Sequence, residues 1–284
     1  MEDKIYYHYC SVDTFFNIMQ TATLRLGNPL SMNDSAEIIW LLEMVKIYVQ
    51  EKGKYKKILD NWNLIEKNMY HMLQEIDLPY IFCLSKKNDV LSQWRSYADD
   101  GKGVAIGIDV DELLRYSKIL SGRNIIYDQK EQMNLLDGKI NNEILDNLEN
   151  SIINQDIKEV FNKVRILVSY VLEEAVVCKN PAFQEENEFR ILCIPYGCTE
   201  NKISEIKFRT DGDSILPYRE VKFYNIRHSL IKNITIGPKS KINNKNLWLF
   251  LKEQGFKWKE EGKEWSMNDT KWLKHVIISK ATYR

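Results

Sequence analysis

Short runs of aromatic and β-branched residues alternate along this chain with longer segments whose apolar residues recur every three or four positions. The first pattern is typical of β-strands and the second of amphipathic α-helices. Residues 4–10, 78–87 and 232–238 are predicted strands, and residues 11–20 and 243–256 are predicted helices. The alternation predicts an α+β protein whose core is a mixed or antiparallel sheet.

Two long segments, at about residues 35–76 and 128–176, carry helical periodicity and little strand signal. The chain of 284 residues contains no internal repeat, no low-complexity tract and no linker rich in proline or glycine, and 44% of its residues are hydrophobic. This content is sufficient for a sizeable core. We expect a single α+β domain over residues 1–284 in which the two segments form a helical insertion or lobe.

Charge and cysteine content narrow the classes of function. Forty basic residues balance forty acidic ones, so there is no overall positive field to gather nucleic acid, and any such contact must be local. The five cysteines are scattered without a Cys-x-x-Cys pair, which is typical of a reducing compartment and predicts a cytoplasmic protein. No apolar run reaches the roughly 18 residues needed to span a bilayer, so no membrane partner is expected.

Two common kinds of cofactor site are not predicted. The glycines at 101, 103 and 107 precede a strand, whereas a dinucleotide-binding fingerprint has its glycines between a strand and the helix that follows. The four histidines are not spaced with Cys, Asp or Glu in the manner of zinc ligands, so no metal site is predicted.

The segment NPAFQEENEFRILCIP, residues 180–195, combines charged and apolar residues in a pattern of chemical interest. If a strand runs from about Glu186 to Ile194, alternation places Glu186, Glu188 and Arg190 on one face. Phe189, Ile191 and Cys193 then share the other face. Two carboxylates and a guanidinium are therefore predicted to lie together.

Five motifs occur in a characteristic order along the chain: YYHYCS, LRLGNPLSMNDSAE, YIFCLSKKNDVLSQWRSYADDGKGVAIGID, FQEENEFRI and ITIGPKS. Together they resemble the domain-of-unknown-function 2971 family, a large bacterial group. Its hallmarks are an aromatic and basic first strand, an F-N-D-P-x-E-like motif, a Ser-ended strand followed by a W-x-x-Y-A helix, a G-x-G-like turn and an E-x-E-x-R strand. NDSAE departs from this pattern at Met32 and Ser35, where an aromatic residue and a proline are expected.

The motif order also resembles that of ADP-ribosyltransferases, whose signature is His or Arg, then Tyr or Ser, then Glu. This resemblance implies an ADP-ribosyltransferase-like fold and NAD as substrate. Loss of nicotinamide from NAD develops positive charge on the ribose, much as in glycoside hydrolysis. The resemblance assigns Glu188 to stabilising that charge, Glu186 to orienting or deprotonating the attacking group from roughly 6.5–7 Å away, and Arg190 to keeping a carboxylate ionised.

The same resemblance assigns the cofactor-binding residues. His8, or Tyr9 if the strand is shifted by one residue, would bond the ribose or phosphate of NAD. Ser85 would occupy the second-strand position, and Trp94 or Tyr97 would offer an aromatic face to the nicotinamide ring. Structural interpretations stand beside these: Ser85 can cap the following turn, and Trp94 and Tyr97 have ordinary core spacing on a helix.

Two hypotheses of function follow. The first is an enzyme that consumes NAD, either hydrolysing it or transferring ADP-ribose to a protein or nucleic acid, as a bacterial toxin or phage-defence effector. The second is a non-catalytic module that binds a nucleotide or nucleic acid as part of a defence system, with a structural acidic strand. Without the resemblance, the Glu-x-Glu-x-Arg face is interpreted as a solvated strand surface with an ion pair worth at most about 1 kcal/mol. The acceptor and the oligomeric state are left open by the sequence.

Overall fold

A computed structural model describes residues 4–31, 36–193, 202–256 and 275–283. Contacts between Cα atoms divide the chain into two compact units. We call residues 1–27, 80–123 and 185–284 the sheet unit, and residues 28–79 and 124–184 the helical unit. The expectation of one domain over residues 1–284 stays a prediction.

A mixed β-sheet organises the sheet unit. Its strands are β1 (Ile5–Cys10), β2 (Thr23–Gly27), β3 (Tyr80–Ser85), β4 (Val104–Asp109), β5 (Leu120–Asn124), β6 (Glu188–Cys193), β7 (Lys207–Asp211), β8 (Ser214–Lys222), β9 (Ile231–Ile236) and β10 (Val276–Ile278). The order is β10-β9-β4-β1-β3-β2-β8-β7, and β6 pairs with β3 and β5. β10 runs parallel to β9, whereas β3 is antiparallel to β1, β2 and β6. The α+β class and the mixed sheet are thereby confirmed.

Helices connect these strands and make up most of the helical unit. They are α1 (Val12–Thr21), α2 (Ala36–Lys52), α3 (Lys56–Asp60), α4 (Trp62–Glu75), α5 (Leu91–Tyr97), α6 (Val110–Tyr116), α7 (Gln129–Lys139), α8 (Asn142–Ile153), α9 (Ile157–Ala175), α10 (Arg227–Leu230) and α11 (Asn244–Glu253). α2–α4 and α7–α9 lie in the two segments expected to be helical. In the part of the chain that the structure describes, no helix has the length and apolar character needed to cross a membrane.

Several helix starts follow from local sequence. The hydroxyl of Ser11 accepts a hydrogen bond from the backbone N–H of Thr14 at the start of α1, and Asp109 caps α6 through the N–H of Glu112 in the same way. Such caps satisfy backbone donors that the first helical turn leaves without a partner. The end of β4 and the start of α6 are therefore set by one residue, Asp109.

The sheet has two chemically different faces, which alternation along each strand assigns. The core face carries an apolar cluster that includes Phe82, Leu84, Ile106, Phe189 and Ile191. We call the opposite side the second face. Its covered part is a smaller cluster in which α5 packs on β1 and β4, formed by Tyr9, Trp94, Ala98 and Ala105.

Strand register aligns five residues of the second face across neighbouring strands. Glu188 pairs with Ser85, and Ser85 pairs with Tyr7. Tyr7 also pairs with Gly107, which pairs in turn with Asn233. We call Glu188, Ser85, Tyr7, Gly107 and Asn233 the cross-strand row. Four strand spacings separate its ends, which is about 19 Å between the outermost Cα atoms.

Candidate functional site

The acidic segment before β6 departs from the predicted strand. Residues 181–186 form a 3-10 helix, and the strand begins only at Glu188. Asn187, between them, has a φ of 47°, which is the left-handed conformation that Asn tolerates better than most residues. The prediction that Glu186 shares a pleated face with Glu188 is therefore wrong, because the chain turns at Asn187.

Glu188 and Arg190 share a face as predicted, and they form a buried ion pair. The Arg190 Nε donates to Glu188 Oε1 at 2.7 Å, and Nη2 donates to Oε2 at 3.1 Å. The two side chains are only 1% (Arg190) and 8% (Glu188) exposed. The interpretation of this pair as a solvated surface contact is excluded by that burial. A guanidinium that binds both carboxylate oxygens fixes the orientation of the carboxylate.

Ser85 ends β3 directly beside Glu188 and is itself buried. Its hydroxyl donates to the backbone carbonyl of Glu186 at 2.9 Å and accepts from the N–H of Lys87 at 3.3 Å. The backbone carbonyl of Asn187 accepts in addition from the N–H of Lys86. Ser85 therefore caps the turn after β3, as one interpretation proposed, and it also holds the acidic segment against the strand.

Glu186 lies near Glu188 although it belongs to the 3-10 helix and not to β6. It is buried, and its Oε1 accepts a hydrogen bond of 3.0 Å from the hydroxyl of Tyr97, at the end of α5. Tyr97 is 41% exposed, so its ring lies partly in solvent. The structure thus brings together Glu186, Glu188, Arg190, Ser85 and Tyr97, although Glu186 lies off the strand.

The first strand presents a different residue from the two that were predicted. The His8 ring lies 4.4 Å from the ring of Phe82 on the core face, so of the two alternatives for the first strand the one in which His8 faces the site is wrong. Its Nδ1 is 3.2 Å from the carbonyl oxygen of Cys83. Desolvation lowers the pKa of His8 to about 4, and the hydrogen bond opposes the change. His8 is consequently a neutral ring near pH 7.

Tyr9 lies on the second face but its hydroxyl is already engaged. That oxygen donates to the carbonyl of Lys87 at 2.9 Å and accepts from the N–H of Val90 at 3.1 Å. Burial raises the pKa of the Tyr9 hydroxyl. Tyr7, two residues earlier on the same face, is the first-strand residue that pairs with Ser85. Sequence reasoning missed Tyr7, and only the pairing register between β1 and β3 identifies it.

Trp94 is not placed to stack on a ligand. Its side chain is fully buried, its ring meets Tyr9 edge to face at 4.8 Å, and its Nε1 donates to Asp89 Oδ1 at 2.7 Å. The expectation that Trp94 offers an aromatic face is therefore corrected, because core packing covers that ring. Between the two aromatic candidates on α5, Tyr97 is the accessible one.

No metal centre can be assembled from the described ranges, since no group of three or more His, Cys, Asp and Glu side chains within them could hold an ion. The chemistry available on the second face is that of two carboxylates, a guanidinium, a serine hydroxyl and two tyrosine hydroxyls. These groups can bind hydroxyls, exchange protons and stabilise positive charge.

Comparison with known proteins finds a family model that matches part of the chain. Residues 93–191 match the model of the family described as "Protein of unknown function (DUF2971)". The resemblance predicted from the motifs is confirmed over that range, which contains the end of α5, the glycine-rich turn before β4, and most of β6. The motifs on β1 and β9 lie outside it. Residues 32–35, which include Asn33, Asp34 and Ser35 of NDSAE, lie outside the described residues. No curated protein and no solved structure matches the chain.

Proposed function

We propose that the sheet unit has an ADP-ribosyltransferase-like fold, binds NAD on its second face and cleaves the bond between nicotinamide and ribose. The observation that carries this proposal is the position of Glu188: a buried carboxylate in register beside Ser85 and Tyr7, on one face of three adjacent strands. A carboxylate held in a sheltered place stabilises a developing cation more strongly than one in water.

Each residue has a definite part in the proposed reaction. Glu188 accepts a hydrogen bond from the ribose 2′-hydroxyl, since a carboxylate has about four acceptor positions. The bond from ribose C1′ to the nicotinamide nitrogen breaks and its electron pair leaves with nicotinamide, while the attacking oxygen or nitrogen forms a new bond to C1′. Glu186, held by Tyr97, takes the proton of the attacking hydroxyl, amine or water. The acceptor is a protein, a nucleic acid or water.

A second candidate function has an observation of its own. Both oxygens of Glu188 bind Arg190, which is the arrangement of a structural ion pair. In this alternative the second face binds a nucleotide or nucleic acid without chemistry, and the pair neutralises two buried charges within β6. In either case we propose a role as a bacterial toxin or phage-defence component.

The proposal is tested by incubating the purified protein with NAD, with and without cell lysate, and following free nicotinamide and ADP-ribose-labelled species. Glu188→Gln removes the negative charge and retains the shape of the side chain. We expect it to lower the rate by on the order of 10²-fold or more. Glu185→Gln is the matched control, because Glu185 is exposed and is adjacent to the site in sequence.

Three results are informative. Turnover that disappears in Glu188→Gln and persists in Glu185→Gln supports the enzyme. A full rate in Glu188→Gln removes Glu188 from catalysis. Absence of turnover combined with a rise in melting temperature on adding NAD supports the binding module, because a ligand bound only by the native state raises stability.

A further inference from the structure

The far end of the cross-strand row carries a polar group whose placement depends on a missing side chain. A Cβ at Gly107 would overlap Asn233 Oδ1 and would come within 2.9 Å of Asn233 Cγ. The carboxamide of Asn233 therefore lies over β4 in the space that a side chain at 107 would fill. Because Gly107 stands between Asn233 and Tyr7 in the row, the amide extends along the second face toward β1.

Asn233 is also left with an unused hydrogen-bonding atom. Its Oδ1 is buried and has no hydrogen-bond partner among the described residues, and the same holds for Thr235 Oγ1 on the same face of β9. A buried acceptor without a donor costs about 1–3 kcal/mol, so such atoms in native proteins call for an explanation. Oδ1 itself is closed to solvent, whereas Asn233 as a whole and Tyr7 are only partly buried, so a bound molecule reaches this acceptor when the carboxamide turns about its Cβ–Cγ bond toward the open side.

Strand pairing is irregular at this position. Asn233 pairs with Gly107, but the next pair along β4 joins Ile108 to Ile231, so Lys232 is an extra residue in β9. Bulges of this kind turn a side chain toward a site and occur often beside functional sites. Lys232 itself forms an ion pair of 3.2 Å with Asp109, which anchors the bulge. The bulge and Gly107 together place the Asn233 side chain over β4.

We propose that Asn233 recognises the adenine of the bound nucleotide. An Asn amide pairs with adenine in two-point fashion, the oxygen accepting from the N6 amine and the nitrogen donating to N7. This inference rests on the proposed function, in which the nicotinamide ribose binds beside Glu188. The Cα atoms of Glu188 and Asn233 are about 19 Å apart, which is on the scale of an extended dinucleotide. The adenosine half therefore lies at the β9 end of the row.

The test compares NAD with nicotinamide hypoxanthine dinucleotide, in which a carbonyl oxygen replaces the adenine amine. Dissociation constants are measured by calorimetry in the Glu188→Gln protein, so that NAD is not consumed. We expect NAD to bind about 10- to 100-fold more tightly than the hypoxanthine analogue, since one correct two-point pair discriminates by about that factor. AMP should show the same preference over inosine monophosphate.

Three variants separate recognition from folding. Asn233→Ala should weaken the binding of NAD and of AMP by the same factor and abolish the preference for adenine. The affinity for nicotinamide mononucleotide should not change. Asn233→Asp keeps an acceptor for the N6 amine but no donor for N7, so part of the preference should remain. Gly107→Ala should displace the Asn233 amide and so reproduce the loss of the preference for adenine, although Asn233 itself is not substituted.

The outcomes distinguish this inference from the proposed function. If NAD is bound and cleaved but Asn233→Ala binds both dinucleotides as the parent does, the inference is overturned and the function stands. If AMP binds in a manner that depends on Asn233 while the wild-type protein never releases nicotinamide, adenine recognition stands and the enzyme proposal fails. If no nucleotide binds to the folded wild-type chain, both are overturned.

Discussion

Separating Arg190 from Glu188 should destabilise the sheet unit strongly, and removing both should not. The guanidinium is 1% exposed and gives two hydrogen bonds to the carboxylate, at 2.7 and 3.1 Å. Glu188→Leu takes away that carboxylate and leaves the buried cation. Breaking such a pair costs about 3–5 kcal/mol, because the remaining charge stays desolvated. Glu188→Gln keeps one acceptor oxygen and should cost about 1.5–3 kcal/mol, the range for a hydrogen bond to a charged group.

The double variant Glu188→Leu/Arg190→Met provides the contrast. An apolar pair of similar volume often replaces a buried ion pair at no cost, so this protein should unfold within about 1 kcal/mol of the wild type. Urea denaturation followed by far-UV circular dichroism gives the free energy of unfolding. Amide hydrogen exchange on β3 and β6 shows whether the loss is local to the pair.

The result that would refute this reasoning is a set of single variants all within about 0.5 kcal/mol of the wild type, the range of ordinary surface substitutions. The double variant also bears on function. If it is stable and still binds NAD, the pair is dispensable for binding. If it is stable and no longer binds NAD, the pair belongs to the site, because unfolding of the double variant cannot account for the lost binding.

Three other changes have definite expected results. The pKa of His8 is lowered from 6.5 to about 4, so the unfolded chain binds the proton first and stability is lost as pH falls from about 6.5 to 4. His8→Phe should remove that loss of stability, which is at most about 3 kcal/mol. Thermal unfolding between pH 7 and 4 measures it, and an unchanged pH dependence in the variant would exclude His8 as its source. Gly103→Ala should cost about 3 kcal/mol in urea denaturation, since its Cβ would overlap the backbone oxygen of Cys10, and a wild-type midpoint would contradict the close approach. Asp89→Ala removes the acceptor of the Trp94 indole N–H, which should lower the free energy of unfolding by about 1–3 kcal/mol and shift tryptophan emission to the red. An unshifted spectrum would show that the ring keeps its environment.

Local patterns were enough to predict the kind of several main elements. The capping hydroxyl of Ser11 starts α1, and the apolar run of β3 stops at Ser85. Two-residue alternation correctly placed Glu188 and Arg190 on one face and Phe189 on the other. These features depend on neighbours within a few residues, where backbone geometry alone decides which side chains share a face.

The composition of the candidate site depended on features that no local pattern contains. The left-handed Asn187 ends the 3-10 helix and takes Glu186 off the strand, a conformation that a run of glutamates does not signal. The first-strand member of the row is Tyr7 because of its register with Ser85, and pairing between strands distant in sequence is fixed by the packed sheet. Thus the sequence determined which strand carries Glu188 and Arg190, and only the tertiary structure decided which residues of the other strands lie beside them.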